Sequence, residues 1–294
     1  MKKWFIFILL LTPMIVIGAT KVKINGIYYN LSKGDYSARV TLWVGDKYEG
    51  KISIPSHVAY QDVNYDVVEI EARAFYGCSE LTYISIPSSV KEIGAQAFEH
   101  CEKLETISGC LNLWKLGSYA FHYCISLKSV CISCETIPEY TFSSCEKLSD
   151  VYVVYCSKIG RCAFQRCISL EEIELPEQIE DIEEDCFSGC EKIKTIICTK
   201  ESVPTMNNNS FDLSVFENAT LYVPALSLDA YKSSIPWNQF KNIVAIKETG
   251  ISSVPLDNYI KEVHSINGNK LKSPSKGINI IKLKDGTIKK VLIK

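Results

Sequence analysis

Residues 74–94, "AFYGCSELTYISIPSSVKEIG", set Phe75, Cys78, Leu81, Ile84, Ile86 and Ile93 at fixed steps, and residues 97–108, "AFEHCEKLETIS", begin the same wording again. Aligned on phenylalanine, the chain shows Phe75, Phe98, Phe121, Phe142, Phe164 and Phe187, spaced 23, 23, 21, 22 and 23 residues apart. Three residues after each stands Cys78, Cys101, Cys124, Cys145, Cys167 or Cys190, and three further on Leu81, Leu104, Leu127, Leu148, Leu170 or Ile193. Chance does not hold three columns in register through six copies. A period of 20–29 residues containing L-x-x-L-x-L is the mark of leucine-rich solenoids.

Each unit reads as one coil. Because strand side chains alternate, "LTYISIP" turns Leu81, Ile84 and Ile86 inward and leaves Tyr83 and Ser85 outside. Pro87 has no amide proton to donate and ends the ladder, as Pro55 and Pro176 do in other copies. A second apolar patch, Val90 and Ile93, brings the chain round, and the Ala-Phe pair with its cysteine fills the return turn. One such coil has too little apolar surface to fold alone, so neighbours stack and share a core. The expected fold class is mostly β: a right-handed leucine-rich-repeat stack of coils about 22–23 residues long, with β-rich caps and a small β domain at the C-terminus.

A small, buried, weakly hydrogen-bonding side chain suits a position stacked beside tightly turning backbone, so the six repeated cysteines read as a ladder of packed free thiols. The seven others, Cys110, Cys131, Cys134, Cys156, Cys162, Cys186 and Cys198, show no common column in the sequence, and their pairing stays open.

These units resemble the BspA-like leucine-rich repeats, whose pattern runs A-F-x-x-C-x-x-L-x-x-I-x-I-P-x-S-V-x-x-I-G. The likeness covers roughly residues 25 to 245. The third and fourth copies, with "SCETIP" and "VVYCSKIG", lack the I-P-x-S-V segment. The resemblance implies a surface or secreted bacterial protein that adheres to host matrix proteins such as fibronectin or fibrinogen, to a glycan, or to other cells.

The rest of the 294-residue chain divides around the repeats. Residues 1–19 carry Lys2 and Lys3, an apolar run from Trp4 to Ile17 and then Gly18 and Ala19, the pattern of a secretory signal peptide. That run is shorter than the roughly 20 apolar residues a spanning helix needs, and no membrane span is expected once it is removed. Residues 20–70 read as an N-terminal β cap with a hairpin at Asn25-Gly26 and an irregular first coil at Ile52 and Ile54. The repeats occupy 71–200. Residues 201–247 form the last coil and a cap with Tyr231, Trp237 and Phe240 as lid residues, and 248–255 is a linker by composition. In 256–294, the stretch from Lys261 to Lys294 sets nine lysines against Glu262 and Asp285, a local net charge of +7, and Asn267-Gly268 and Asp285-Gly286 predict two hairpins. This tail resembles the C-terminal sorting domain of type IX secretion cargo, with Asn279 where that pattern has tyrosine. The resemblance implies secretion machinery as a partner.

Composition narrows the function. A net charge of −2 gives no field to hold nucleic acid. No nucleotide-binding, zinc-protease, esterase or EF-hand pattern occurs, His57, His100, His122 and His264 share no repeat column, and no enzyme, cofactor or metal site is expected. "CISC" at 131–134 would need a helix N-terminus to act as a redox pair, or a second pair to bind zinc. The nine acids of 171–185 read as a solvated surface, since their spacing fits no calcium loop. Binding is the natural use of a rigid stacked face. The candidate protein-binding residues are Tyr83, Ser85, Thr106, Asp150, Tyr152, Glu172 and Glu174, with the two tyrosines as anchors. The chain is expected to be a monomer; the alternative function is that of a passive structural envelope protein with no dedicated ligand, whose outward residues only cover the sheet.

Overall fold

The computed structural model describes residues 20–246 apart from 43, 44, 46 and 110, together with the backbone of strands Ile260–Ser265, Lys270–Leu271, Gly277–Leu283 and Ile288–Ile293. The expected signal peptide and the 248–255 linker lie outside the described residues.

The repeats fold as expected for a leucine-rich-repeat-like, β-dominant chain with parallel strands in curled sheets. One ladder runs through Gly50–Ser53, Leu81–Ser85, Thr106–Ser108, Ser129–Ser133 and Asp150–Tyr155, each parallel to the one before. It resumes as Glu172–Leu175, Thr195–Cys198, Thr220–Val223 and Asn242–Ala245. A second series of short parallel bridges joins Val63–Ile70 to Glu92–Ile93 and Lys115–Leu116, and then Thr136–Ile137 through Lys158–Ile159 and Asp181–Ile182 to Thr205–Met206. The third and fourth copies therefore keep the second bridge although they lack the I-P-x-S-V wording. Cys134 and Cys156 stand there in the column filled elsewhere by Val90, Leu113 and Ile179, and each thiol bonds a carbonyl two residues on, at 3.2 and 2.9 Å.

Between the ladders runs the aromatic spine. Phe75, Phe98, Phe121, Phe142, Phe164 and Phe187 are fully buried and stack at centroid separations of 4.8 to 5.4 Å. Phe211 extends the stack by one rung at 4.7 Å, and Tyr48 closes the other end at 4.6 Å. The turn beside each ring is locked by hydrogen bonds across coils, for example from the Phe98 amide to the Ala120 carbonyl at 2.7 Å.

The cysteine has a job in that turn. The thiols of Cys101, Cys124, Cys145, Cys167 and Cys190 donate to the carbonyls of Phe75, Phe98, Phe121, Phe142 and Phe164 in the preceding coil, at 3.1 to 3.3 Å. All six ladder cysteines are free. Burial pushes the thiols of Cys78, Cys101, Cys124, Cys145 and Cys167 up, and neighbouring cysteines add to the effect at Cys101, Cys124 and Cys167. They are inert packing groups.

Two left-handed columns bend the turn. Arg73, Gln96, Tyr119, Tyr140, Cys162 and Asp185 have φ of 54 to 61°, and Gly77, His100, Tyr123, Ser144, Arg166 and Gly189 have φ of 59 to 78°. Only two of these twelve are glycine, which hid the columns from the sequence. Glycine is required instead where coils touch: a Cβ on Gly94 or Gly117 would meet the Ala72 or Ala95 amide nitrogen at 2.3 or 2.2 Å.

At the N-terminal end, Thr20–Ile24 and Ile27–Ser32 pair antiparallel around Asn25 and Gly26, both at positive φ. A second hairpin, His57–Tyr60 with Val63–Ile70, turns at Gln61 and Asp62. At the other end Tyr231, Trp237 and Phe240 are buried. The Tyr231 hydroxyl donates to the Lys200 carbonyl at 2.8 Å and the Trp237 indole to that of Pro204 at 2.8 Å. These bonds satisfy the polar tips of rings that cover the last coil. The C-terminal strands pair antiparallel in the order Lys270–Leu271, Ile260–Ser265, Gly277–Leu283, Ile288–Ile293. The Asn279 side chain lies outside the described residues.

Candidate functional site

Along the first ladder the outward residues fall into register. Tyr83 stands beside Thr106, Thr106 beside Ser129 and Ser129 beside Asp150, while Cys131 stands beside Tyr152. Past the interruption Glu172 pairs with Thr195 and Glu174 with Ile197. The predicted residues thus share one face, but they do not form one site. Tyr83, Ser85 and Thr106 lie on the near part of the ladder. Asp150, Tyr152, Glu172 and Glu174 line a single cleft of about 410 Å³, together with Ser149, Val151, Ser169 and Glu171.

The cleft exists because the ladder stops there. Asp150–Tyr155 pairs with Ser129–Ser133 through a bulge between Ile132 and Ser133, and no backbone pairing joins it to Glu172–Leu175 among the described residues. The preceding coils are the short ones, and strands that no longer keep register open a gap between the two halves of the face. Sequence spacing recorded the short steps of 21 and 22 residues without revealing this consequence. Glu171, Ser149 and Ser169 were missed for the same reason.

Four carboxylates reach the cleft. Asp150 accepts from the Ser149 hydroxyl at 2.8 Å, and Glu171 holds Lys194 from the next coil at 3.1 Å. Burial, then the charges of Asp150 and Glu172, push the Tyr152 hydroxyl up to about 12. It stays protonated and available as a donor at neutral pH. Acidic walls with a half-buried tyrosine ring suit a cationic side chain, which gains charge-assisted bonds and ring contact together. Among the described residues no group of three or more His, Cys, Asp or Glu is arranged to hold a metal ion.

Cys131 lies on the strand Ser129–Ser133, across from Tyr152. It is disulfide-bonded and only 3% exposed, forming with Val154 a small cluster apart from the main core on which Tyr152 packs. The other eleven described cysteines are free, and Cys110 lies outside the described residues. The acidic run also departs from a purely solvated surface. Lys158 bridges Asp181 at 3.2 Å and Glu183 at 2.5 Å, and Arg161 bonds Glu184 at 2.8 Å.

On the turn side, adjacent columns bring two histidines together. The buried Glu99 carboxylate accepts from His122 Nδ1 at 2.9 Å and from Gln96 Nε2 at 2.6 Å, with His100 Nε2 at 4.0 Å. Tyr123 stacks on His100 at 4.9 Å and Tyr140 on Tyr119 at 4.8 Å. His122 meets Tyr119, Tyr123 and Tyr140 edge-on, and the carboxylate is satisfied within the network. This cluster is a structural clasp on the turns.

A sequence profile described as the BspA type leucine rich repeat region matches six copies in the chain, over residues 68–156 and 154–254. Among solved structures, a Treponema pallidum leucine-rich repeat protein is 24% identical with a TM-score of 0.52, over 72% of this chain and 95% of its own. A leucine-rich repeat protein from Eubacterium ventriosum is 22% identical with a TM-score of 0.51, over 66% of this chain and 50% of its own. A leucine-rich cell surface protein from Faecalibacterium prausnitzii is 15% identical with a TM-score of 0.38, over 78% of this chain and 96% of its own. The first two share the repeat fold. No curated protein sequence matches the chain.

Proposed function

The chain belongs to the BspA-type leucine-rich repeat family, and from that premise we propose that it is an exported bacterial surface or secreted protein that binds another protein through its open strand face. Repeat proteins of this kind serve as interaction scaffolds rather than enzymes. The two parallel series, joined coil by coil through the phenylalanine turn, are read as one right-handed solenoid. The observation that carries the reading is the convergence of Asp150, Tyr152, Glu172 and Glu174 on one cleft. Its chemistry selects a basic segment, a lysine or arginine side chain entering between the carboxylates with its stem against Tyr152. Matrix proteins such as fibronectin and fibrinogen are the partners to try first, with glycans second. Residues 1–19 supply the export signal, the disulfide at Cys131 suits an oxidising compartment, and the lysine-rich 256–294 segment is read as the signal for a type IX-like secretion machinery.

The test is a binding titration of the monomeric full-length chain, after export, over immobilised matrix proteins. Saturable binding is expected, weakened at least tenfold in Glu172→Lys/Glu174→Lys and by raised salt. No saturable binding to any matrix protein or glycan would overturn the reading. Loss of surface display on deleting 256–294 tests the sorting signal separately.

A further inference from the structure

We propose that the disulfide at Cys131 sets the Tyr152 wall of the cleft, so that the binding surface is completed only by oxidation after export. The inference rests on the cleft being the binding site, but its structural content can be tested without any ligand.

The strand Asp150–Tyr155 is backbone-paired on one side only; on the other, Glu172–Leu175 lies against it without a ladder bond. Its neighbour Ser129–Ser133 holds it through a bulged register, and on its other side the ladder is interrupted. Whatever fixes Ser129–Ser133 therefore fixes the cleft wall as well. Cys131 stands directly across from Tyr152 in that pairing. Neighbouring parallel strands lie about 4.8 Å apart, so the two side chains share one patch of the outer face. The patch is unlike the rest of that face. Tyr83, Thr106 and Ser129 stand as single polar residues, whereas Cys131 and Val154 form an apolar island outside the main core and Tyr152 closes over it.

The chemistry of this sulfur is also distinct. The ladder thiols are free and donate to phenylalanine carbonyls inside the spine, while Cys131 is cross-linked and lies outside the main core. A cross-link there removes sliding freedom from the strand that Tyr152 leans on, where the backbone ladder is least able to do so. In the reduced state the island keeps its apolar contacts but loses the covalent tie. The oxidation balances as thiol–disulfide exchange. One cysteine thiolate attacks a disulfide-bearing oxidant and a mixed disulfide forms, releasing one oxidant thiol. The second cysteine thiolate displaces the other oxidant sulfur, so two electrons pass to the oxidant, which leaves as a dithiol with the two protons. A reducing cytoplasm would keep the pair open.

Hydrogen exchange read by mass spectrometry on the full chain, with and without a phosphine reductant, decides the matter. On reduction, amides of 150–155 should exchange about tenfold faster while those of 81–85 stay unchanged. Cys131→Val, which keeps the apolar island, should show the fast pattern under both conditions, and reoxidation should restore protection in the wild type alone. The Tyr152 hydroxyl, identified by its absence in Tyr152→Phe, should titrate closer to its ordinary value of about 10 after reduction. Equal exchange at 150–155 in both states, or a parallel rise at 81–85, would overturn the proposal. Neither outcome bears on whether the oxidised cleft binds a partner.

Discussion

The turn edge and the strand face of this chain are built from the same repeat, yet they obey different constraints. On the turn edge the phenylalanine rings stay within 4.7 to 5.4 Å of each other from Phe75 to Phe211, through steps of 21 to 24 residues. On the strand face the same variation in step length produces a bulge, an interruption and a cleft. A buried ring with a fixed hydrogen-bonded turn cannot absorb a length change without leaving a void, so the slack moves to the side that water can fill. Tolerance for irregularity, and with it the opportunity for a binding site, lies where burial is incomplete.

The sharpest way to break the comparison is alkali, which acts on the turn edge and its neighbouring columns at once. Ten free cysteines, from Cys78 to Cys198, have thiols pushed up by burial. Each holds its proton more tightly when folded. Its contribution is intact below the unfolded value of about 8.5 and is lost as pH climbs from there toward the folded value, by up to about 1.4 kcal/mol per pH unit. Summed over the seven that burial raises furthest, Cys101, Cys124, Cys134, Cys145, Cys156, Cys167 and Cys186, this exceeds the stability of an ordinary domain within about two pH units. Cooperative unfolding monitored by circular dichroism should therefore begin near pH 9, with thiol reagents reacting only as the fold is lost. Native-state reactivity of these thiols at neutral pH would contradict the packing described above.

Next in size, Phe121→Ala should cost about 3 to 5 kcal/mol in denaturant unfolding, because Phe98 and Phe142 both lose a stacking face and the void cannot close between fixed coils. Cys124→Ala removes a thiol that donates to the Phe98 carbonyl at 3.2 Å and should cost about 1 to 2 kcal/mol. That smaller loss separates the bond from the ring stack it accompanies.

What could be read in the sequence follows the same division. The phenylalanine, cysteine and leucine columns were legible because burial on all sides leaves one solution per position. Phe211 escaped because neither column that accompanies the other rings follows it: Ser214 stands where the cysteine would be and Glu217 where the leucine would be. Cys134 and Cys156 were legible only once the bridge Thr136–Ile137 with Lys158–Ile159 was seen, since a thiol in an aliphatic column carries no periodic mark. The hairpin at Gln61-Asp62 lacked the Asn-Gly wording that revealed the one at Asn25-Gly26. The seven outward residues were found by alternation alone, and alternation says which face a residue takes but not where that face opens. The cleft depends on lost register between two strands, a non-local property that no single repeat encodes.

The smallest stability effect carries the most information about the strand face. Tyr152→Ala removes a ring resting on Cys131 and Val154 outside the main core, so its unfolding cost should stay near 1 kcal/mol, well below that of Phe121→Ala. Tyr83→Ala, in the continuous part of the ladder beside Thr106, should cost a similar amount. The two must then separate in binding. If the cleft is the docking site, Tyr152→Ala lowers affinity for a captured matrix protein about tenfold or more while Tyr83→Ala changes it less than threefold. Equal losses would mean that the whole face is read as a flat surface and that the interruption between Asp150–Tyr155 and Glu172–Leu175 is only accommodated slack. Because both substitutions remove the same ring from the same face at a similar stability cost, the difference between them isolates the one feature in which their surroundings differ.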